Sequence, residues 1–379
     1  MVALQPVPAP TYLPDMKPFS QPRVAIVHYW LVTMRGGERV IERVLDLFPQ
    51  ADIFTHVYDE GAMSQKIRRA KVTTSFINRL PFARTKYQYY LPLMPMALEQ
   101  LDLRGYDLVV SSESGPAKGV ITDPSSLHVC YCHSPMRYLW DHYHLYRRDA
   151  GRLVKAVMPY SYHRLRQWDM NSSARVDRFA ANSTFIQNRI RKSWRRESEL
   201  IHPPVECDLF SPTQDVGDRY LWVGQMVPYK RPDLAVEAFN ATGLPLTMVG
   251  SGSMLKQLRA KAGPNIEIIE RMSFPDLKDA YRKAKALVFT AEEDFGIVPV
   301  EAMASGRPVL AFGRGGVLDS VDEGVTGLFF AQQEPESLID GLDRMESWLA
   351  GFEPQAALAQ AAKFAPEVFD KKLLALTRP

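Results

Sequence analysis

Short apolar runs punctuate the chain at intervals that suit an alternating β/α protein. Arg23 to Trp30, Ala51 to Tyr58, Tyr106 to Ser112, Leu127 to Cys132, Arg178 to Ser183 and Leu200 to Val205 each read as a strand. A second series follows at Tyr220 to Val223, Leu246 to Val249, Ile266 to Ile269, Ala286 to Thr290, Pro308 to Phe312 and Gly327 to Phe330. The runs are continuous rather than alternating, as expected for parallel strands covered on both faces. Between them lie helical patterns. Val40, Ile41, Val44, Leu45 and Phe48 recur at helical spacing, and further helices are predicted at about 275–285 and 335–349. Strands alternating with helices predict an α/β fold of doubly wound parallel sheets.

Length divides this pattern in two. A chain of 379 residues is long for one core, and the two strand series suggest two domains. The predicted division is a proline-rich leader over 1–22, a first domain over 23–204, a second over 205–360, and a terminal helix over 361–379.

The most informative stretch is Thr290 to Gly316, TAEEDFGIVPVEAMASGRPVLAFGRGG. A buried strand breaks into the acidic turn Glu292-Glu293-Asp294. Phe295, Gly296, Ile297 and Val298 follow, with Pro299 opening a short helix that stops at Gly306. The backbone N–H groups of 295–298 then face the carboxyl end of the sheet, where anions bind. Glu293 on the turn and Glu301 in the first helical turn can face one ligand. An acid at that place can also merely complement the helix dipole; the pair around a glycine turn favours function.

Glu293-Asp-Phe-Gly-Ile-Val-Pro-Val-Glu301 resembles the E-x7-E motif of family-four retaining glycosyltransferases, and the similarity continues through Gly306, Gly315 and Gly316. The resemblance implies the GT-B fold: two Rossmann-like domains facing a cleft. It is strongest over 205–335, looser over 23–204, and absent from 1–22. It implies a nucleotide-sugar donor held by the second domain, with Glu293 orienting the sugar and Glu301 holding the ribose.

Other positions take roles from the same resemblance. Lys230 in VGQMVPYKR matches a lysine that holds the donor diphosphate, while Gln225 stands where the family usually has arginine. Arg231, or Arg137 across the cleft, is then left to supply a second cation. Arg271 and Met272 lie on a loop implied to approach the base. His133, at the end of a strand, resembles a histidine that contacts the donor sugar. Arg137 and Trp140 on the same loop suit a sugar–phosphate cleft. Gly36 and Gly37 after the first strand read either as a plain turn or as a place for close ligand approach; the family's cleft-facing loop favours the latter. The HSPMRYLWD and VGQMVPYKR segments look like those of bacterial GDP-mannose-dependent α-mannosyltransferases that build exopolysaccharide or O-antigen on polyprenyl diphosphate. Alternatives are UDP-glucose or another donor, a GT-B sugar-nucleotide epimerase, or a non-catalytic two-lobed sugar-binding protein.

Composition narrows this reading slightly. Lys plus Arg number 46 against 43 Asp plus Glu, so nothing global points to nucleic acid. Three cysteines fit a reducing compartment, with Cys130 and Cys132 as small buried strand residues. There is no Asp-x-Asp pair and no C-x-x-C, so neither a metal nor any other cofactor is expected. No run suits a spanning helix. The stretch 79–101 sets Arg79, Arg84 and Lys86 among Phe82, Tyr87, Tyr89, Tyr90, Leu91 and Met94. It reads either as internal packing or as peripheral contact with an anionic inner membrane. The expected location is cytoplasmic, at the inner face of the membrane.

Overall fold

A computed structural model describes residues 22–378; the predicted leader therefore lies outside the described residues except for Pro22. Two parallel sheets form two Rossmann-like domains. The first contains β1 (Val24–His28), β2 (Asp52–Thr55), β3 (Val72–Thr74), β4 (Leu108–Glu113), β5 (Leu127–Cys132), β6 (Arg178–Ala181) and β7 (Glu199–Leu200). The second contains β8 (Tyr220–Val223), β9 (Leu246–Val249), β10 (Ile266–Ile269), β11 (Leu287–Phe289), β12 (Val309–Phe312) and β13 (Gly327–Phe330). Their strand orders are β3-β2-β1-β4-β5-β6-β7 and β10-β9-β8-β11-β12-β13.

Both orders reverse direction beside the first strand of the domain, between β1 and β4 and between β8 and β11. Loops leaving those strands diverge to opposite sides, and the crevice they open is where such sheets bind ligands. The continuous apolar runs are buried on both faces, as β1, β4 and β5 show without exception. Cys130 and Cys132 are buried free thiols of β5.

Several boundaries differ from expectation. The strand expected at Leu200 to Val205 is only Glu199–Leu200, because Pro203 and Pro204 cannot continue a ladder. The helix after the acidic turn begins at Ile297, two residues before Pro299, with Gly296 as its N-cap at φ +87°. A 21-residue helix, Arg152–Ser172, and the short β3 have no counterpart among the expected elements.

The chain crosses between the domains twice. Near the first crossing the Val205 N–H donates to the carbonyl of Phe364, beside the second crossing, at 2.9 Å. The helix Pro354–Ala362 packs Ala357 and Ala361 into the second core. The helix Pro366–Leu376 instead places Phe369 and Leu373 in the first core, among Ile26, Ile41 and Tyr131. Arg43 clamps Asp370 through Nε at 2.8 Å. No helix is long and apolar enough to cross a membrane among the described residues.

Candidate active site

On the second-domain side, β11 ends at Phe289 and the chain turns through Glu292, Glu293 and Asp294 into Gly296. The turn is tight because Gly315 and Gly316 admit it. A Cβ at Gly316 would stand 2.3 Å from the Asp294 carbonyl oxygen, and one at Gly315 would stand 2.5 Å from that of Glu293. The Gly316 N–H also donates to the Glu293 carbonyl at 2.9 Å. The sequence motif thus ends where the backbone needs two residues without side chains.

Lys230 reaches this turn from the β8 loop. Its Nζ lies 2.6 Å from Glu293 Oε1, close enough for an ion pair though off the direction of a good hydrogen bond. Burial works against the ammonium charge, but the Glu293 carboxylate outweighs it and the Lys230 pKa is raised. The backbone is pinned as well, since Thr290 Oγ1 donates to the Lys230 carbonyl at 2.8 Å. Cation, carboxylate and the uncapped N-terminus of helix Ile297–Ala304 therefore converge at one sheet edge.

Glu301 lies one turn into that helix and accepts a hydrogen bond from the buried Tyr281 hydroxyl at 2.7 Å. Desolvation raises the Glu301 pKa, against the opposing effects of Tyr281 and of Arg39 from the other domain. Gln225 is exposed at the end of β8. Arg271 is exposed and Met272 half-buried in the loop after β10, with Met272 packed on the second core. Phe295 is buried in that core, and Ile297 and Val298 pack on it.

Arg231 is placed differently from a free second cation. Its backbone is left-handed, at φ +51°, and its side chain reaches Asp233 at 3.1 Å and the Gln333 carbonyl at 3.1 Å. These contacts hold the start of helix Pro232–Thr242 and occupy the guanidinium.

The first domain supplies the opposite wall. Gly36 and Gly37 begin helix Gly36–Leu47, and a Cβ at Gly36 would lie 3.5 Å from Ile297 Cδ1 across the cleft. Beneath them runs a chain of polar side chains. Glu38 Oε1 lies 3.6 Å from His28 Nε2. His28 Nδ1 is 3.0 Å from Ser112 Oγ, which is 2.8 Å from His133 Nε2. Desolvation, with His28 adding to it, pushes the His133 pKa down to about 3, so the ring is neutral near neutral pH. Glu38 is lowered instead: burial raises it, but His28 and the backbone N–H groups at the helix start outweigh that effect.

Arg137 and Trp140 are both engaged. Arg137 Nη2 donates to Asp294 at 2.6 Å, joining the domains at the very turn that carries Glu293. Arg189 Nη1 reaches the same carboxylate at 3.3 Å and Ser134 Oγ at 2.6 Å, and Ser183 Oγ donates to the Asp294 carbonyl. Trp140 is less open than a sugar platform needs, because its indole N–H donates to the buried Asp169 at 2.8 Å. Asp169 also pairs with the buried Lys118, which faces Glu113 at 3.5 Å. This buried network sets the 133–141 loop, since the Glu113 carbonyl receives the His133 N–H at 2.8 Å.

The sheet edges thus bring together Gly36, Gly37, His133, Arg137, Lys230, Glu293, Gly296 and Glu301. Sequence reasoning did not single out Ser112, Arg189, Tyr281 or the role of Asp294. Asp294 was read only as part of the acidic turn Glu292-Glu293-Asp294, and its partners Arg137 and Arg189 lie far away in sequence. Among the described residues no cluster of three or more His, Cys, Asp or Glu could hold a metal ion.

Comparison with known proteins bears on the fold and on the second domain. Residues 213–363 match the family described as "Glycosyl transferases group 1". The chain is 28% identical over 167 residues to an uncharacterized glycosyltransferase of Methanocaldococcus jannaschii, covering 43% of this chain and 47% of that one. It is 32% identical over 178 residues to a D-inositol 3-phosphate glycosyltransferase of Frankia alni, covering 39% and 44%. It therefore matches less than half the length of these curated relatives. Among solved structures, Anabaena HepE in complex with UDP superposes with a TM-score of 0.70 at 15% identity, covering 93% of this chain and 98% of that one. Sucrose-phosphate synthase from Thermosynechococcus elongatus gives 0.68 at 18%, covering 94% and 98%. The chain as a whole has the GT-B fold, and residues 213–363 carry the match to the group 1 glycosyl transferases.

Proposed function

We propose that the protein is a retaining glycosyltransferase that moves mannose from GDP-mannose to a polyprenyl-diphosphate-linked oligosaccharide at the inner face of the membrane. The observation that supports sugar transfer from a nucleotide donor is the Lys230–Glu293 pair beside an uncapped helix N-terminus, facing Gly36 across the cleft. Mannose, GDP and the lipid-linked acceptor rest on the resemblance of the HSPMRYLWD and VGQMVPYKR segments. A bound donor diphosphate would take Lys230 from Glu293 and accept from the N–H groups at Ile297 and Val298. Glu293, released, would accept from sugar hydroxyls, and Glu301, steadied by Tyr281, would accept from the ribose. The leaving diphosphate gains charge in the transition state, so these groups favour departure; losing one typically costs about 3–4 kcal/mol. The front face of the sugar is left to the acceptor, and a donor phosphate oxygen takes its proton.

A UDP-sugar donor is the second reading, favoured by the structures of Anabaena HepE with UDP and with UDP-glucose. Thermal shift over a panel of nucleotide sugars separates the two. The preferred donor at a hundred times its Kd stabilises by about 2.7 kcal/mol. Transfer should then depend on an added acceptor, which an epimerase or a sugar-binding protein does not require. Glu293→Ala and Lys230→Ala should each cut turnover by about a hundredfold or more with the fold intact. Near-normal turnover in either folded variant removes that residue from the mechanism. Transfer should survive EDTA; complete loss restored by Mg²⁺ or Mn²⁺ would overturn the metal-free reading.

The lipid-borne acceptor requires peripheral contact, for which the 79–96 stretch is one surface. Phe82 and Tyr89 are each 72% exposed there, while Leu91 and Met94 are buried. Internal packing thus takes Leu91 and Met94, and the exposed Phe82 and Tyr89 are the residues left for the proposed membrane contact.

A further inference from the structure

Helix Tyr143–Asp149 and helix Arg152–Ser172 form a hairpin around Ala150 and Gly151. Its inner side is packed: Met158 and Leu165 are buried, and Tyr143 stacks near Tyr162 with ring centres 5.8 Å apart. Its outer side is not. Leu153 is 79% exposed and Tyr160 73%, with Val157 between them at helical spacing. Beside that apolar stripe lies a shallow basin of about 250 Å³ lined by His144, Arg147, Arg148 and Lys155. Residues 142–167 contain six Arg and Lys against one acid, Asp149.

Large apolar side chains held in water beside a one-signed basin need an explanation. We propose that this hairpin is a docking surface for an anionic phospholipid bilayer, with Leu153, Val157 and Tyr160 entering the headgroup region and the basin receiving lipid phosphate. Charge complementarity selects the occupant: phosphate headgroups offer negative charge and apolar depth in one plane. The place in the fold agrees. The His142 N–H donates to the Arg137 carbonyl at 2.9 Å, so the hairpin springs directly from the loop that crosses the cleft to Asp294. A bilayer seated here would present a lipid-borne acceptor beside the Glu293 turn. The inference rests on the lipid-acceptor reading only for its purpose, not for the binding itself.

The test is co-sedimentation of the full chain with phosphatidylcholine vesicles, with and without phosphatidylglycerol. Wild type should bind only the anionic vesicles. Arg147→Glu with Lys155→Glu should weaken binding at least about tenfold. Leu153→Ser with Tyr160→Ser should remove the part of binding that persists at high salt. Both double variants should keep wild-type turnover on a water-soluble acceptor. Binding unchanged in both hairpin variants but lost in Arg84→Glu with Lys86→Glu would overturn the hairpin and leave membrane contact standing at 79–96. Displacement from vesicles by inorganic phosphate well beyond that given by sodium chloride of equal ionic strength would reassign the basin to a soluble anion and overturn the proposal. So would self-association in the absence of vesicles that the hairpin variants abolish. Failure to turn over any nucleotide sugar, with vesicle binding intact, would sink the transferase reading and not this one.

Discussion

At the scale of residues, the Glu38–His28–Ser112–His133 chain sets which nitrogen of His133 carries a proton. Glu38 Oε1 stands 3.6 Å from His28 Nε2, too far for a hydrogen bond but near enough for its charge to favour N–H there in the neutral ring. That leaves Nδ1 to accept from the Ser112 hydroxyl. Ser112 Oγ must then accept from His133 Nε2–H, and His133 Nδ1 is left with a lone pair for a substrate hydroxyl. Ser112→Ala should mix the His133 tautomers, visible in its ring nitrogen shifts, and lower kcat/KM about three- to tenfold. Tyr281→Phe leaves one buried Glu301 oxygen without its donor. It should weaken donor binding about tenfold or more while leaving kcat nearly unchanged. Acid sensitivity follows from burial. His56 and His128 are pushed down to about 4 and His133 to about 3, each mainly by desolvation. The unfolded chain protonates them near 6.5, so it binds more protons than the folded chain below that pH. Stability should therefore fall as pH drops from about 6.5 toward 4, and the melting temperature across that window checks it.

At the scale of elements, the glycine turns separate packing from ligand approach. Gly316→Ala drives a Cβ into backbone atoms that cannot move aside. It should destabilise by about 1–3 kcal/mol or more, measured by denaturant unfolding. Gly36→Ala meets only Ile297 Cδ1 at an ordinary 3.5 Å. The fold should tolerate it, so any loss of donor affinity in that variant reports a ligand backbone or phosphate at the loop. The elements themselves were legible where turn residues bound the apolar run closely: β5, β9, β10 and β13 begin and end where the apolar runs do. Helix Arg152–Ser172 was not: Leu153, Val157 and Tyr160 recur at helical spacing, but Pro159 within the helix reads as a breaker in the sequence. Nor was β3, whose three residues are Val and two Thr, all half-buried. Within the site, Glu293 and Glu301 stood out by local spacing. Partners such as Arg189, 105 residues from Asp294, could not, since only the fold brings them together.

At the scale of the molecule, one carboxylate holds the two domains in register. Asp294 receives Arg137 and Arg189, both largely shielded from solvent. Asp319 adds a second tie through the Thr184 N–H at 2.6 Å and His202 at 3.1 Å. Arg137→Ala with Arg189→Ala should loosen this arrangement, giving a larger radius of gyration in solution scattering and weaker donor binding. An unchanged radius would mean that the crossings alone fix the domains. Those crossings have a further consequence for how the protein is made. Phe369 and Leu373, which complete the core around β1, come from helix Pro366–Leu376, after the whole second sheet in the chain. While a ribosome is still building the second domain, the first has a hole where those side chains belong. Nascent first domains therefore wait, with apolar surface showing, until some 170 further residues have emerged. A first domain produced alone should recruit holdase chaperones, and a separately supplied peptide spanning 363–378 should release it from them.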